Sequence, residues 1–210
     1  MIKKAFTSLL VMVIVALSCS SAQATVVTIA TFADPAVNKN TQLFTVNLGT
    51  DLITGGWGDA QTGLTLQIPY SVNTYIDAFF TMTNVAYSGG ITGGSTGGGT
   101  IKFFANGQST STTPLLQIEF DAGHVTPFGF GAMDMFYFDD VIITGSEITG
   151  PLTDESFAFS LGNLSPLGGN WNNGYTATAA FTSSAVPEPA TIILLGTAGI
   201  WVFTRKKRSA

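Results

Sequence analysis

Apolar and polar residues alternate with a period of two through much of the chain. Long helical periodicity is missing from the region between residues 25 and 182. Leu64, Leu66 and Ile68 are separated by Thr65 and Gln67, Leu116, Ile118 and Phe120 by Gln117 and Glu119, and Phe157, Phe159 and Leu161 by Ala158 and Ser160. Successive side chains on a strand point to opposite faces, so each run predicts a strand with one buried and one exposed face. Residues 25–32, 42–47, 75–87, 100–105, 135–144 and 175–181 read as further strands, bounded by clusters of Gly, Asn, Asp or Pro. About nine short strands predict an all-β domain, an antiparallel β-sandwich or jelly roll, rather than an α/β fold. No repeat of solenoid or propeller length is present. The Gly/Ser/Thr-rich residues 89–100 read as a flexible connection, and residues 182–185 as a short polar spacer.

Both ends of the chain break this pattern with continuous apolar runs. Lys3 and Lys4 precede an apolar stretch at residues 9–17, followed by the small residues Ala22-Gln23-Ala24. That is the layout of a signal peptide over residues 1–24, removed by signal peptidase to leave Thr25 first. Cys19, the one cysteine, sits in Ala16-Leu17-Ser18-Cys19, a poor lipoprotein box because the position three before the cysteine usually holds a larger aliphatic residue. Cleavage after Ala24 leaves no cysteine, which excludes disulfides and thiol catalysis.

At the other end, Val186-Pro187-Glu188-Pro189 leads into an apolar run over residues 192–203 and then Arg205-Lys206-Lys207-Arg208. A helix there would span roughly 20 Å at about 1.5 Å per residue, short of the ~30 Å hydrocarbon core. The four cations would hold its end in the cytoplasm, which places the preceding domain outside. Motif, membrane segment and basic stop together resemble the PEP-CTERM sorting signal processed by exosortases. The resemblance covers residues 186–208. It implies an exosortase-like membrane peptidase as partner, Val186, Pro187, Glu188 and Pro189 as the sorting motif, and Arg205, Lys206, Lys207 and Arg208 as the stop. It implies transient anchoring by a C-terminal transmembrane helix, then release to the cell surface or extracellular matrix, often alongside exopolysaccharide. Such tails also carry the description ice-binding protein C-terminal domain. The organisation expected is a signal helix at 1–24, a β-sandwich ectodomain at 25–182 and a sorting tail at 183–210.

Without its two ends the chain is strongly acidic. Between residues 25 and 186 lie two lysines, Lys39 and Lys102, and twelve of the thirteen carboxylates, a formal balance of −10. Nucleic acid and anionic membrane surfaces are disfavoured as partners, whereas divalent cations and neutral polysaccharide are not.

The chemistry on offer is sparse. Gly93-Gly94-Ser95-Thr96-Gly97 matches the G-x-S-x-G nucleophile pattern, but that pattern needs a strained strand-to-helix turn, and here it lies in a glycine run. His124, the one histidine, reads as a turn residue, and one histidine does not make a multi-histidine metal site. Phe136-Tyr137-Phe138-Asp139-Asp140-Val141-Ile142-Ile143 resembles a strand of jelly-roll carbohydrate-binding and matrix domains. Asp139 and Asp140 both face solvent only if the strand is bulged or ends there. Asp134, Asp139 and Asp140 are candidate ligands of a structural Ca2+, without an EF-hand loop to support them. No other cofactor is expected, and no catalytic residue is assigned. Trp57 and Trp171, each in a Gly/Asn/Asp-rich loop, are candidate carbohydrate contacts, since sugar rings stack on indole; the alternative is that each folds back to plug the sandwich.

The expectation is a non-enzymatic, exported surface or matrix protein. Its alternatives are a secreted glycan-active enzyme using paired carboxylates, an unprocessed tail-anchored protein, and an ice- or crystal-surface binder, for which no repeat supplies regular threonine rows.

Overall fold

The computed structural model describes residues 25–33, 42–56, 64–133 and 140–188. They form twelve strands: β1 Val27–Phe32, β2 Phe44–Asn47, β3 Leu52–Gly55, β4 Leu64–Ile68, β5 Asn73–Met82, β6 Val85–Gly90, β7 Gly93–Phe104, β8 Leu116–Thr126, β9 Gly129–Met133, β10 Val141–Thr144, β11 Leu152–Pro166 and β12 Gly174–Pro187. Two short 3-10 turns, Leu167–Gly169 and Trp171–Asn173, separate β11 from β12. Among the described residues there is no α-helix, and no helix long and apolar enough to cross a membrane. The expected signal helix and the apolar run at 192–203 lie outside the described residues.

All twelve strands belong to one antiparallel sheet that closes on itself. The long strands β7 and β12 are its hubs. From β7 to β12 run three arms, β6-β3-β2, β5-β4-β1 and β8-β9-β11, while β10 pairs with β8 beyond the end of β9. At one end β7 pairs with β6 through Gly93–Thr96, and at the other with β5 through Ile101–Phe104. In the same manner β12 meets β2 over Gly174–Ala177 and β1 over Phe181–Ala185. Closure leaves few free strand edges, a common protection of β proteins against edge-to-edge pairing.

The alternating runs read from the sequence face the core as expected: Leu64, Leu66, Ile68, Leu116, Ile118, Phe120, Phe157, Phe159 and Leu161 are all buried. Phenylalanines fill the centre. Phe32, Phe44, Phe80, Phe103, Phe159 and Phe181 form a continuous ring cluster with centroids 4.8 to 6.2 Å apart. Large rings suit a core that spans the interior of a closed sheet, because each removes much apolar area from water.

Four readings of the sequence are corrected. Residues 89–100 are not a flexible loop: they carry the end of β6 and most of β7, with only Ile91 and Thr92 in the turn. At Gly89, Gly93, Gly94 and Gly98 a neighbouring backbone comes close; a Cβ on Gly94 would overlap the Ser88 carbonyl oxygen. His124 is a strand residue of β8 rather than a turn residue. Residues 182–185 are no spacer but the part of β12 that pairs with β1, and the folded unit runs over Val26–Val186. The expected strand over 75–87 is two strands, broken at Thr83 and Asn84. Of the strand expected at 135–144, the described part is β10, and residues 134–139 lie outside the described residues.

Candidate functional site

The unit has two poles, fixed by the course of β12. Its fourteen residues span roughly 40 Å at about 3.3 Å per residue. At the far end of β12 Ala185 pairs with Val27 at the start of β1, so the unit's first and last residues share one pole, the exit pole. Gly174, at the near end of β12, follows the turn that carries Trp171, which marks the opposite, aromatic pole.

The aromatic pole gathers the β2–β3, β6–β7, β8–β9 and β11–β12 connections. Leu48 N–H donates to the Asn173 carbonyl (2.9 Å) and Tyr87 N–H to that of Asp51 (2.8 Å). The Tyr175 hydroxyl donates to the Thr126 carbonyl at 3.3 Å. Burial, with the nearby Tyr87 phenol, raises the Tyr175 pKa from 10.0 to about 12. The Trp171 loop is held by side-chain and backbone bonds among its own residues. Asn170 Oδ1 accepts from Asn172 N–H (3.0 Å), Asn173 Nδ2 donates to the Leu167 carbonyl (3.4 Å), and Gly174 N–H donates to the Trp171 carbonyl. Gly174 has φ 114°, and a Cβ there would overlap the Val46 carbonyl oxygen, so only glycine fits.

Trp171 is 43 % exposed, and no residue of its turn is buried. Phe128, at the tip of the β8–β9 hairpin, is 81 % exposed. Phe128 does not stand out by alternation; the signal that marks it is the turn sequence Thr126-Pro127-Phe128-Gly129 between two strands. Trp57 lies outside the described residues.

The exit pole is organised by a carboxylate that the sequence did not single out. Glu147, in the β10–β11 connection, accepts from Ser71 Oγ (2.5 Å), Asn73 Nδ2 (2.7 Å) and the Tyr75 hydroxyl, all on the β4–β5 hairpin. Burial works to raise the Glu147 pKa, but the bonds from Ser71, Tyr75 and Asn73 outweigh it and hold the carboxyl below its ordinary range. The bond to Glu147, then burial, raises Tyr75 from 10.0 to about 12. All three donors are neutral, and Lys102 is the one lysine or arginine among the described residues. In the turn beside them Val72 has φ 62° and is 90 % exposed. The left-handed region is costly for a β-branched residue.

Of the expected sorting residues, the structure describes Val186, Pro187 and Glu188. Val186 is buried as the last residue of the unit, Pro187 ends β12, and Glu188 is exposed. Pro189, Arg205, Lys206, Lys207 and Arg208 lie outside the described residues.

Of the calcium candidates, Asp134 and Asp139 lie outside the described residues. Asp140 is exposed just before β10, where its N–H donates to Asp121 Oδ1 (2.9 Å) and its carbonyl accepts from Asp121 N–H (3.2 Å). Among the described residues no three His, Cys, Asp or Glu side chains are grouped to hold a metal. Glu155 is buried, and its Oε1 accepts from Ile143 N–H at 3.0 Å.

Two pairings could not be read from the sequence. Ser95 and His124 are directly opposed on β7 and β8, both exposed. Ser95 stands in a regular strand rather than the strained turn that lifts a nucleophile out of a sheet, so the pairing alone does not build an acyl-transfer site. Thr176, Thr45 and Thr54 line up across β12, β2 and β3, a row of three drawn from three separate segments.

No protein-family model, curated protein or solved structure matches the chain.

Proposed function

We propose that the chain is an exported, exosortase-sorted cell-surface or matrix protein whose domain is a non-catalytic, jelly-roll-like β-sandwich that meets exopolysaccharide through its aromatic pole. One observation carries the reading: the unit begins and ends on neighbouring strands, Val27 opposite Ala185, while Trp171 and Phe128 are displayed at the other end of β12. The chain runs on towards the proposed sorting motif from the end of β12 opposite Trp171 and Phe128. Leader removal after Ala24 and processing near Pro187-Glu188-Pro189 then both take place in chain that leaves the fold at one pole. A tryptophan and a phenylalanine beside the amides of Asn170 and Asn172 suit sugar rings, whose apolar faces stack on aromatics while their hydroxyls meet amides. No metal is required for this role; a Ca2+ at Asp134, Asp139 and Asp140 would be structural.

The test is the intact mass of the protein recovered from its native host, compared between envelope and extracellular fractions. Loss of both residues 1–24 and the chain beyond Pro189 is expected. A C-terminus retained to Ala210 in the membrane would make it a tail-anchored protein and end the exosortase reading.

A further inference from the structure

We infer that Asn106 is a site of spontaneous deamidation in the native protein and that Asn173, which is also followed by glycine, is protected by the fold. Asn106-Gly107 and Asn173-Gly174 are the two Asn-Gly pairs of the chain. The reaction joins the backbone nitrogen of the glycine to the Asn side-chain carbonyl carbon. The amide nitrogen leaves as ammonia, a five-membered succinimide remains, and water opens it to aspartate or isoaspartate. It therefore needs a free glycine N–H, a free side-chain amide and room to close the ring.

Asn106 meets all three conditions. It lies in the exposed β7–β8 turn closed by Gln108 N–H to the Ala105 carbonyl (3.1 Å) and by Ala105 N–H to Gln108 Oε1 (2.8 Å). Neither bond uses the Gly107 N–H or the Asn106 amide, which have no hydrogen-bond partner among the described residues. Gly107 has open space around the position of a Cβ. Asn173 fails on each count. Its amide nitrogen donates to the Leu167 carbonyl, Gly174 N–H donates to the Trp171 carbonyl, and Gly174 is buried against Val46. The Asn173 carbonyl is also held by Leu48 N–H. Deamidation at 173 thus requires the Trp171 loop to open first.

Conversion at 106 adds a negative charge to a domain already rich in carboxylates, and isoaspartate adds a methylene to the backbone of the turn. The turn's connection adjoins the Glu147 segment, since Ser146 N–H donates to the Pro114 carbonyl and Glu147 N–H to that of Leu115.

The experiment incubates the purified full chain in mildly alkaline buffer, native and in urea, and follows both Asn-Gly peptides by mass spectrometry, with Asn106→Gln as control. In the native chain Asn106 should convert, with Asn173 at least about tenfold slower, the factor set by a local opening of about 1.4 kcal/mol. In urea the two should react at comparable rates, and in Asn106→Gln the native signal should vanish. Comparable native rates at the two sites, a faster Asn173, or a native Asn106 that stays intact while the urea sample reacts would each overturn the inference.

Discussion

Both poles of the domain are built from strand connections, yet they keep their shape by different means. At the exit pole one carboxylate draws three side chains from a hairpin more than seventy residues earlier in the chain. At the aromatic pole the Trp171 loop is closed within itself by asparagine side chains and left-handed glycines. The first device is long-range and rests on a carboxylate; in the second, the asparagine bonds that close the loop are local and carry no charge. A pole held by local bonds can display Trp171 and Phe128 without calling on them for stability, whereas a pole held by one charge depends on pH and on the hairpin it grips.

The sharpest way to break the comparison is Gly174→Ala. Its Cβ meets the Val46 backbone at a φ unsuited to alanine, so a loss of about 3 kcal/mol or more in urea unfolding is expected. A loss below about 1 kcal/mol would show that the loop yields easily. Glu147→Ala comes next, at about 1–2 kcal/mol for a partly exposed charged acceptor of three bonds. Amide exchange should quicken in β4–β5 and leave the Trp171 loop unchanged; uniform quickening would mean that the poles are not independent.

The pH response follows from the same carboxylate. Because its folded pKa is depressed, the stability Glu147 contributes is present above its unfolded value of about 4.3. It is lost as pH falls through the lower folded value. Glu147→Gln should flatten that part of the acid unfolding profile. At high pH the sign reverses: Tyr75, raised from 10.0 to about 12, contributes stability that is intact below 10 and is lost as pH rises through 12. Tyr75→Phe should remove this dependence from the exit pole while Tyr175 keeps its own at the aromatic pole. Val72→Asn should stabilise by about 0.5–1 kcal/mol by relieving a β-branched residue at φ 62°. The smallest stability effect is expected of Trp171→Ala combined with Phe128→Ala, within about 0.5 kcal/mol. Binding to host exopolysaccharide, measured by co-sedimentation, should nevertheless fall sharply; unchanged binding would remove the aromatic pole from the proposal.

The all-β character was legible because alternation survives wherever one face of a strand is buried, as at Leu64 to Ile68. It failed where composition and geometry part company. The residues from Gly93 to Gly99 look pliable in sequence but are strand, and neighbouring backbone leaves no room for a Cβ at Gly93, Gly94 and Gly98. β3 and β9 offered four and five residues, too little for a period to show. Trp171 was legible as a loop aromatic because Gly and Asn surround it. The Glu147 cluster was not, because hydrogen-bond partners from separate hairpins leave no mark on local spacing, and the same holds for Ser95 opposite His124.

The three arms of the sheet all end on β12, the last strand of the unit to leave the ribosome or a translocation channel. Until it arrives, β1, β2 and β11 keep only their partners β4, β3 and β9, and the phenylalanine core stays open along one side. Closure must wait for the whole domain and then join segments as far apart as Val27 and Ala185, which favours slow folding through a partly open state. A chain cut short before residue 174 should therefore fail to fold altogether rather than fold as a smaller domain.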